Sequence, residues 1–319
     1  MTTGPGPRPV RTVFLGSGGF GVESLWRLDT SDEVELVGVV TAPPRPAGRK
    51  QTLAQTPIHD AAEHLRVPAI LTPPRLRDPE AVASVLALGP ELLVLADYGQ
   101  IVPASLLELP HGALNLHPSL LPRYRGATPI PAAILAGDPE TGVTLMRMDA
   151  GLDTGPIVAQ SRLALDGTET APVLEDRLMI AADELLDANL GPWLRGEIEP
   201  VAQDEGLASV TRPLRRDDGR LDPSRSAVEL ERQVRAYIPW PGSFVETDLL
   251  GRLIVDDATV APSQPGDRTG QLVAEGDGLA IATRDGRLHL GRVRVAGRKP
   301  MTAAALRRGA PGLAGSLVR

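Results

Sequence analysis

Val10–Gly21 reads VRTVFLGSGGFG, an apolar run of strand length that breaks on a glycine-rich turn. Val, Thr and Phe favour extended backbone, and a helix-like segment, Gly21–Leu28, takes over directly behind the turn. A strand that hands over to a helix in this way is the opening of a β-α-β unit, and the handover recurs. Strand-like segments at Val34–Val40, Glu91–Ala96, Ala113–Leu116 and Val143–Met148 are interleaved with helical ones at Pro57–Arg66, Pro79–Leu88 and Thr128–Ala136, and a longer helix follows at Ala171–Leu190. That order predicts an α/β fold, a parallel sheet with helices on both faces. Beyond a loose stretch, Gly196–Ser209, a helix at Ala227–Tyr237 and short strands cut by Gly, Pro and Asp predict a small β-barrel. The expected division is therefore 1–195, a linker at 196–209, and 210–319.

A chain of 319 residues is long enough for two such domains. It has no cysteine, which removes disulfides, thiolate zinc sites and a Cys nucleophile and fits a cytoplasmic location. There is no apolar run long enough to cross a bilayer and no signal segment, so no membrane partner is expected. His59 and His64 diverge on their helix, and no H-E-x-x-H occurs, so no metal is expected either. The formal net charge of −7 hides a split: eight basic and no acidic residues lie between Arg287 and Arg319. Such a tail suits a polyanionic partner.

Gly16, Gly18 and Gly21 match the G-x-G-x-x-G fingerprint of dinucleotide binding, which would make the chain an NAD(P)-dependent oxidoreductase. That fingerprint needs a carboxylate at the end of the second strand, about 20 residues on. Here the strand runs out in Val40, Thr41, Ala42, Pro43 and Pro44, so tight strand-to-helix packing is the better reading of the glycines. A second pattern carries more chemistry. In LNLHPSLLPRYRGATPI, Leu114–Ile130, Asn115 and His117 stand at i and i+2 at a strand end and share one face. In MDAGLDTGP, Asp153 lies between Gly151 and Gly155, expected to bring the backbone close beside a substrate. An amide, an imidazole and a carboxylate in one crevice can run metal-free acyl transfer. The amide and an imidazolium steady the oxyanion, and the carboxylate keeps the imidazole protonated and receives the amine proton.

Asn115 with HPSLLPRYRGATPI and ETGVTLMRMDAGLDTGPI closely resembles the signature of the 10-formyltetrahydrofolate-dependent formyltransferases. RPAGRK at Arg45–Lys50, DYGQIVP at Asp97–Pro103, RAYIPWPG at Arg235–Gly242 and RVAGRKPM near the C-terminus agree with it. The resemblance implies a Rossmann-like catalytic domain followed by a small, open, OB-like β-barrel that helps to bind tRNA. It makes Asn115, His117 and Asp153 the catalytic trio. It places 10-formyltetrahydrofolate against Leu95, Tyr98, Gly99, Ile101, Val102, Ser119, Leu120, Leu121, Pro122, Asp149 and Gly151. Arg45, Arg49 and Lys50 on one loop, and Arg298, Lys299, Arg307 and Arg308 in the C-terminal domain, are then tRNA contacts. The likeness is greatest to the branch whose acceptor is initiator methionyl-tRNA, and a monomer is expected. Departures at Ala42, Asp97, Pro131 and Ser209–Arg215 keep a sugar-nucleotide amine as the alternative acceptor.

Overall fold

The computed structural model describes residues 8–47 and 52–319, which form two compact units. The first comprises Met1–Pro129, Glu140–Ala164 and Glu175–Thr211, and the second Ile130–Pro139, Leu165–Leu174 and Arg212–Arg319.

The first unit is built on seven strands: β1 (Val10–Gly16), β2 (Val34–Val40), β3 (Ile70–Leu71), β4 (Leu92–Ala96), β5 (Ala113–His117), β6 (Glu140–Arg147) and β7 (Ile157–Ala164). Their spatial order is β7-β6-β5-β4-β1-β2-β3. Every pairing from β3 across to β5 is parallel. The last two pairings, β5 with β6 and β6 with β7, are antiparallel, so the expected parallel sheet carries an antiparallel edge. β4 is buried at all five of its positions, as a strand covered on both faces must be. Val13, Leu15, Leu93, Leu95 and Ala113 belong to one packed cluster with Leu76 and Val85. Phe14, Leu92, Leu114 and Leu116 alternate with them and are fully buried on the other face. Each such leucine contributes about 1.5–3 kcal/mol relative to exposure.

The helices begin and end where local chemistry dictates. α1 (Val22–Thr30) follows the glycine turn, and its Arg27 donates to Asp183 in the long helix Ala171–Leu194 at 3.0 and 2.7 Å. α2 (Pro57–Leu65) is capped by Thr56, whose hydroxyl accepts from the His59 N–H at 3.0 Å, and it stops at Arg66 in the left-handed region with φ 59°. α3 (Pro79–Ala87) opens on Asp78 and Pro79.

The segment 196–209 is not loose. Val201 pairs with Ile157 through hydrogen bonds of 2.7 and 2.8 Å, and Val210–Thr211 forms a short parallel pair with Arg125–Gly126. The chain thus stays strapped to the first unit as far as Thr211.

In the second unit the short antiparallel strands form two four-stranded sheets. One joins Ser243–Thr247, Gly251–Val255, Arg292–Val295 and Met301–Thr302, and the other Ala258–Ala261, Arg287–Leu290, Gly278–Ala282 and Leu272–Glu275. Leu253, Val255, Leu279, Ile281, Leu288 and Val293 share one core with Leu230 and Val234 of the helix Ala227–Ala236. That helix starts with a reciprocal cap: Ser226 accepts from the Glu229 N–H and the Glu229 carboxylate from the Ser226 N–H.

Candidate active site

Register builds the crevice. Val40, Leu15 and Leu95 face one another across β2, β1 and β4, and the next residue in that row is Asn115. An apolar row is therefore interrupted by an amide before it passes on to Met146 of β6, and strand alternation puts His117 on the same face as Asn115. The Asn115 amide makes no side-chain hydrogen bond among the described residues. His117 is 5% exposed. Its Nε2 lies 2.9 Å from the Tyr124 carbonyl oxygen, so Nε2 carries the hydrogen and donates it. Nδ1 lies 3.7 Å from Asp153 Oδ2, and that oxygen accepts from the Gly126 N–H at 2.7 Å. Amide, imidazole and carboxylate are thus assembled at the carboxyl end of the sheet, where open α/β folds hold their ligands.

The direction of the His117 shift runs against the expectation that the carboxylate keeps the imidazole charged. Burial pushes His117 below its usual 6.5, and this outweighs the opposing pull of Asp153 and the Tyr124 carbonyl. Burial thus favours the neutral imidazole, and in that form the Tyr124 contact leaves the lone pair on Nδ1.

The backbone here is strained. Asp97, Tyr124 and Asp153, all at this end of the sheet, adopt φ of 51°, 61° and 52°. Such conformations cost about 1–3 kcal/mol each and persist only where surrounding contacts hold them. For Tyr124 and Asp153 these contacts come from the strap. Gln203 Nε2 donates to the carbonyls of Asp153 and Gly155 at 2.8 and 2.7 Å, and its Oε1 accepts from Arg125 Nε and Nη2 at 3.0 and 2.8 Å. Buried Arg125 also pairs with Glu205, and the Tyr124 N–H donates to Ser209 Oγ at 2.8 Å. Gly126, at φ 96°, is the tight point, because a Cβ there would meet the Thr211 carbonyl oxygen at 2.4 Å. Gly126→Ala should lower stability by about 1–3 kcal/mol, read as an earlier denaturant midpoint with an unchanged m-value.

The other expected site residues divide. Gly99 and Gly151 are exposed, and Ile101 is 74% exposed. Leu95 and Val102 are buried in the core behind them. Tyr98 packs on the same core; its hydroxyl has no hydrogen-bond partner among the described residues, and burial pushes its pKa up. Ser119 and Leu121 are buried and occupied in holding the loop. The Ser119 hydroxyl donates to the Arg123 carbonyl at 2.6 Å, and the Leu121 N–H to Thr144 Oγ1 at 3.0 Å. Leu120 and Pro122 are half-buried beside them. Asp149 accepts from the Gly151 N–H and the Thr154 hydroxyl, bracing the turn before Asp153. Gly155 serves packing: a Cβ there would lie 1.9 Å from the Arg147 carbonyl oxygen.

Of the basic residues, Arg45 is exposed in a short hairpin, Arg45–Ala47 with Thr52–Ala54, and Arg49 and Lys50 lie outside the described residues. Arg298, Lys299 and Arg308 are exposed and unpaired among the described residues. Arg307 is not available in the same way, because it donates to the Gly276 carbonyl at 2.7 Å. His64 stacks on Trp26 at 5.4 Å, while His59, Asp60 and Glu63 bring possible ligand atoms within 4.8 Å of one another on α2.

The glycine fingerprint has a structural explanation. Cβ atoms at Gly16 and Gly21 would strike the Phe14 ring and the Ala96 carbonyl. At Gly18 one would fall 1.5 Å from Asp97 Oδ2. A carboxylate therefore lies over the glycine that a pyrophosphate would have to approach, and like charges repel.

The sheet and the polar cluster are compatible with acyl transfer, and comparison with known proteins gives the family. The model of the formyl transferase family matches residues 10–189, and that of the formyl transferase C-terminal domain matches residues 213–311. The chain belongs to the formyl transferase family, whose members use folate-derived formyl donors. It is 45% identical over 309 residues to a methionyl-tRNA formyltransferase of Roseiflexus sp. (strain RS-1), covering 94% of this chain and 93% of that protein. A methionyl-tRNA formyltransferase of Myxococcus xanthus is 42% identical over 296 residues, covering 92% and 93%. Among solved structures, the N-formyltransferase from Helicobacter canadensis, in complex with folinic acid and dTDP-3-aminofucose, superposes with a TM-score of 0.63. At 17% identity, covering 88% of this chain and 98% of that one, it is a likeness of fold.

Proposed function

We propose that the chain transfers the formyl group of 10-formyltetrahydrofolate to the amino group of methionyl-tRNA, with Asn115, His117 and Asp153 as the reacting constellation. The acceptor is supported by the identity and coverage of the methionyl-tRNA formyltransferases, which extend through both units. The chemistry is supported by one observation above all, an Asn115 amide without a side-chain hydrogen bond among the described residues, on the same strand face as a buried His117 whose Nδ1 lies 3.7 Å from Asp153.

The donor supplies an activated formyl carbon. Free Asn115, the exposed Gly99 and Gly151, and the exposed apolar Ile101 and Leu152 suit a flat ring with a polar edge. Attack of the amine nitrogen forms the new C–N bond and puts negative charge on the formyl oxygen. Asn115 Nδ2 donates to that oxygen. His117 Nδ1 takes the proton that the amine must lose, while its Nε2–H stays on the Tyr124 carbonyl. The imidazolium formed is stabilised by Asp153 at 3.7 Å. Collapse breaks the bond between the carbon and the folate nitrogen, and that nitrogen takes back a proton.

Incubation with 10-formyltetrahydrofolate and charged initiator tRNA tests this directly: formyl-methionyl-tRNA should accumulate. Formylation of an amino sugar nucleotide, with the tRNA untouched, would establish the alternative acceptor. The unpaired Arg298, Lys299 and Arg308 suit phosphate contacts. Changing these three to Gln should make the slope of log K for tRNA against log salt shallower by about 2–3 in all. A slope equal to the wild-type one would remove them from the interface. Arg307 is left unchanged because its guanidinium holds a turn.

A further inference from the structure

We infer that Gln203 is the positioning residue of the transfer reaction: its side-chain amide locks the Asp153 turn against the His117 loop, so that the carboxylate meets the imidazole. This rests on the catalytic reading of His117 and Asp153. Asp153 is held at φ 52°, a conformation that a residue with a β-carbon leaves unless it is restrained. Its carboxylate is held at one oxygen by the Gly126 N–H at 2.7 Å. Its own backbone carbonyl and that of Gly155 accept from the two hydrogens of Gln203 Nε2, at 2.8 and 2.7 Å.

The other half of the same amide faces the His117 side. Oε1 accepts from Arg125 Nε and Nη2, and Arg125 directly precedes Gly126 and follows Tyr124, whose carbonyl fixes the imidazole. One side chain therefore spans both loops, with both donors and the acceptor occupied, and no residue type except Gln or Asn offers that combination. Arg125 is 5% exposed and also held by Glu205, so the acceptor end is anchored to a residue that does not move with solvent. If Gln203 is lost, the left-handed turn relaxes and Asp153 moves away from Nδ1. Displacements of about 1 Å at a reacting centre cost on the order of 100-fold in rate.

Gln203→Met keeps the length and apolar bulk and removes every hydrogen bond. It should lower kcat about 10- to 100-fold with KM for the formyl donor little changed. NMR titration of its His117 should move to lower pH, because the carboxylate that favours the cation has moved away. Gln203→Glu retains an acceptor for Arg125 but cannot donate to the two carbonyls; it should stay slow, and it carries the test if the Met variant does not fold. A Met variant with wild-type kcat, a Met variant whose only defect is a smaller folded fraction with His117 titrating as before, or recovery of turnover in the Glu variant would each overturn the positioning role. Asp153→Asn, measured alongside, separates the two levels. If it turns over like wild type, the catalytic reading beneath this inference has failed; if it is slow while Gln203→Met is fast, only the inference has.

Discussion

Asn115→Ala is expected to lower kcat by about two to three orders of magnitude, the scale of losing one aligned donor to a developing oxyanion. The loss should fall on turnover rather than on donor affinity, because the amide gains its full interaction only when charge reaches the formyl oxygen. The structure makes this a clean substitution. Asn115 makes no side-chain hydrogen bond among the described residues. Single-turnover kinetics with the donor at saturation check the split, and turnover within about twofold of wild type would take Asn115 out of the chemistry.

Asp153→Asn should slow transfer by about 100-fold or more at neutral pH, in the range of general acid–base effects. Burial already holds His117 below its ordinary 6.5, and Asp153 is the charge that opposes this. Without it the imidazole titrates at still lower pH, and the cation formed on accepting the amine proton loses its counter-ion. The same shift acts on stability. A histidine whose folded pKa lies below 6.5 binds fewer protons folded than unfolded in the interval between the two values. Stability is unaffected by this group above about pH 6.5 and falls as pH drops below it. In Asp153→Asn the fall from this group should extend further down the pH scale. Urea denaturation at a series of pH values checks it, and an unchanged acid limb would mean that the two groups are not coupled.

Much of this was legible in the chain itself. β1, β2 and β4 are apolar runs of strand length, buried on both faces, and nothing else fits such runs between helix signals. Asn115 and His117 were legible because the two-residue spacing on a strand guarantees a shared face. β7 was not. Its sequence, IVAQSRLA, lies at the sheet edge with mostly half-buried and exposed positions, so no apolar pattern marks it. The direction of the His117 shift was not legible either, because it turns on how completely the LLPRYRG loop closes over the ring, and the carboxylate alone pointed the other way. Least legible was the strap. Gln203 acts on backbone carbonyls 48 and 50 residues away, and a Gln in a polar stretch between Pro200 and Ser209 has the composition of a loose linker.

That strap changes where this chain can be cut. A polypeptide ending at residue 195 would contain every strand of the sheet together with Asn115, His117 and Asp153, and by composition it looks like a whole catalytic half. It would lack the amide that joins the Asp153 turn to Arg125, and also Ser209 and Thr211, on which the loop behind His117 is hung. A shortened chain that keeps the strap therefore has to run at least as far as Thr211. A graft that supplies a foreign second half has to bring its junction in beyond that residue, or it will replace the hydrogen bonds that hold the Asp153 turn and the Tyr124–Gly126 loop along with the tether.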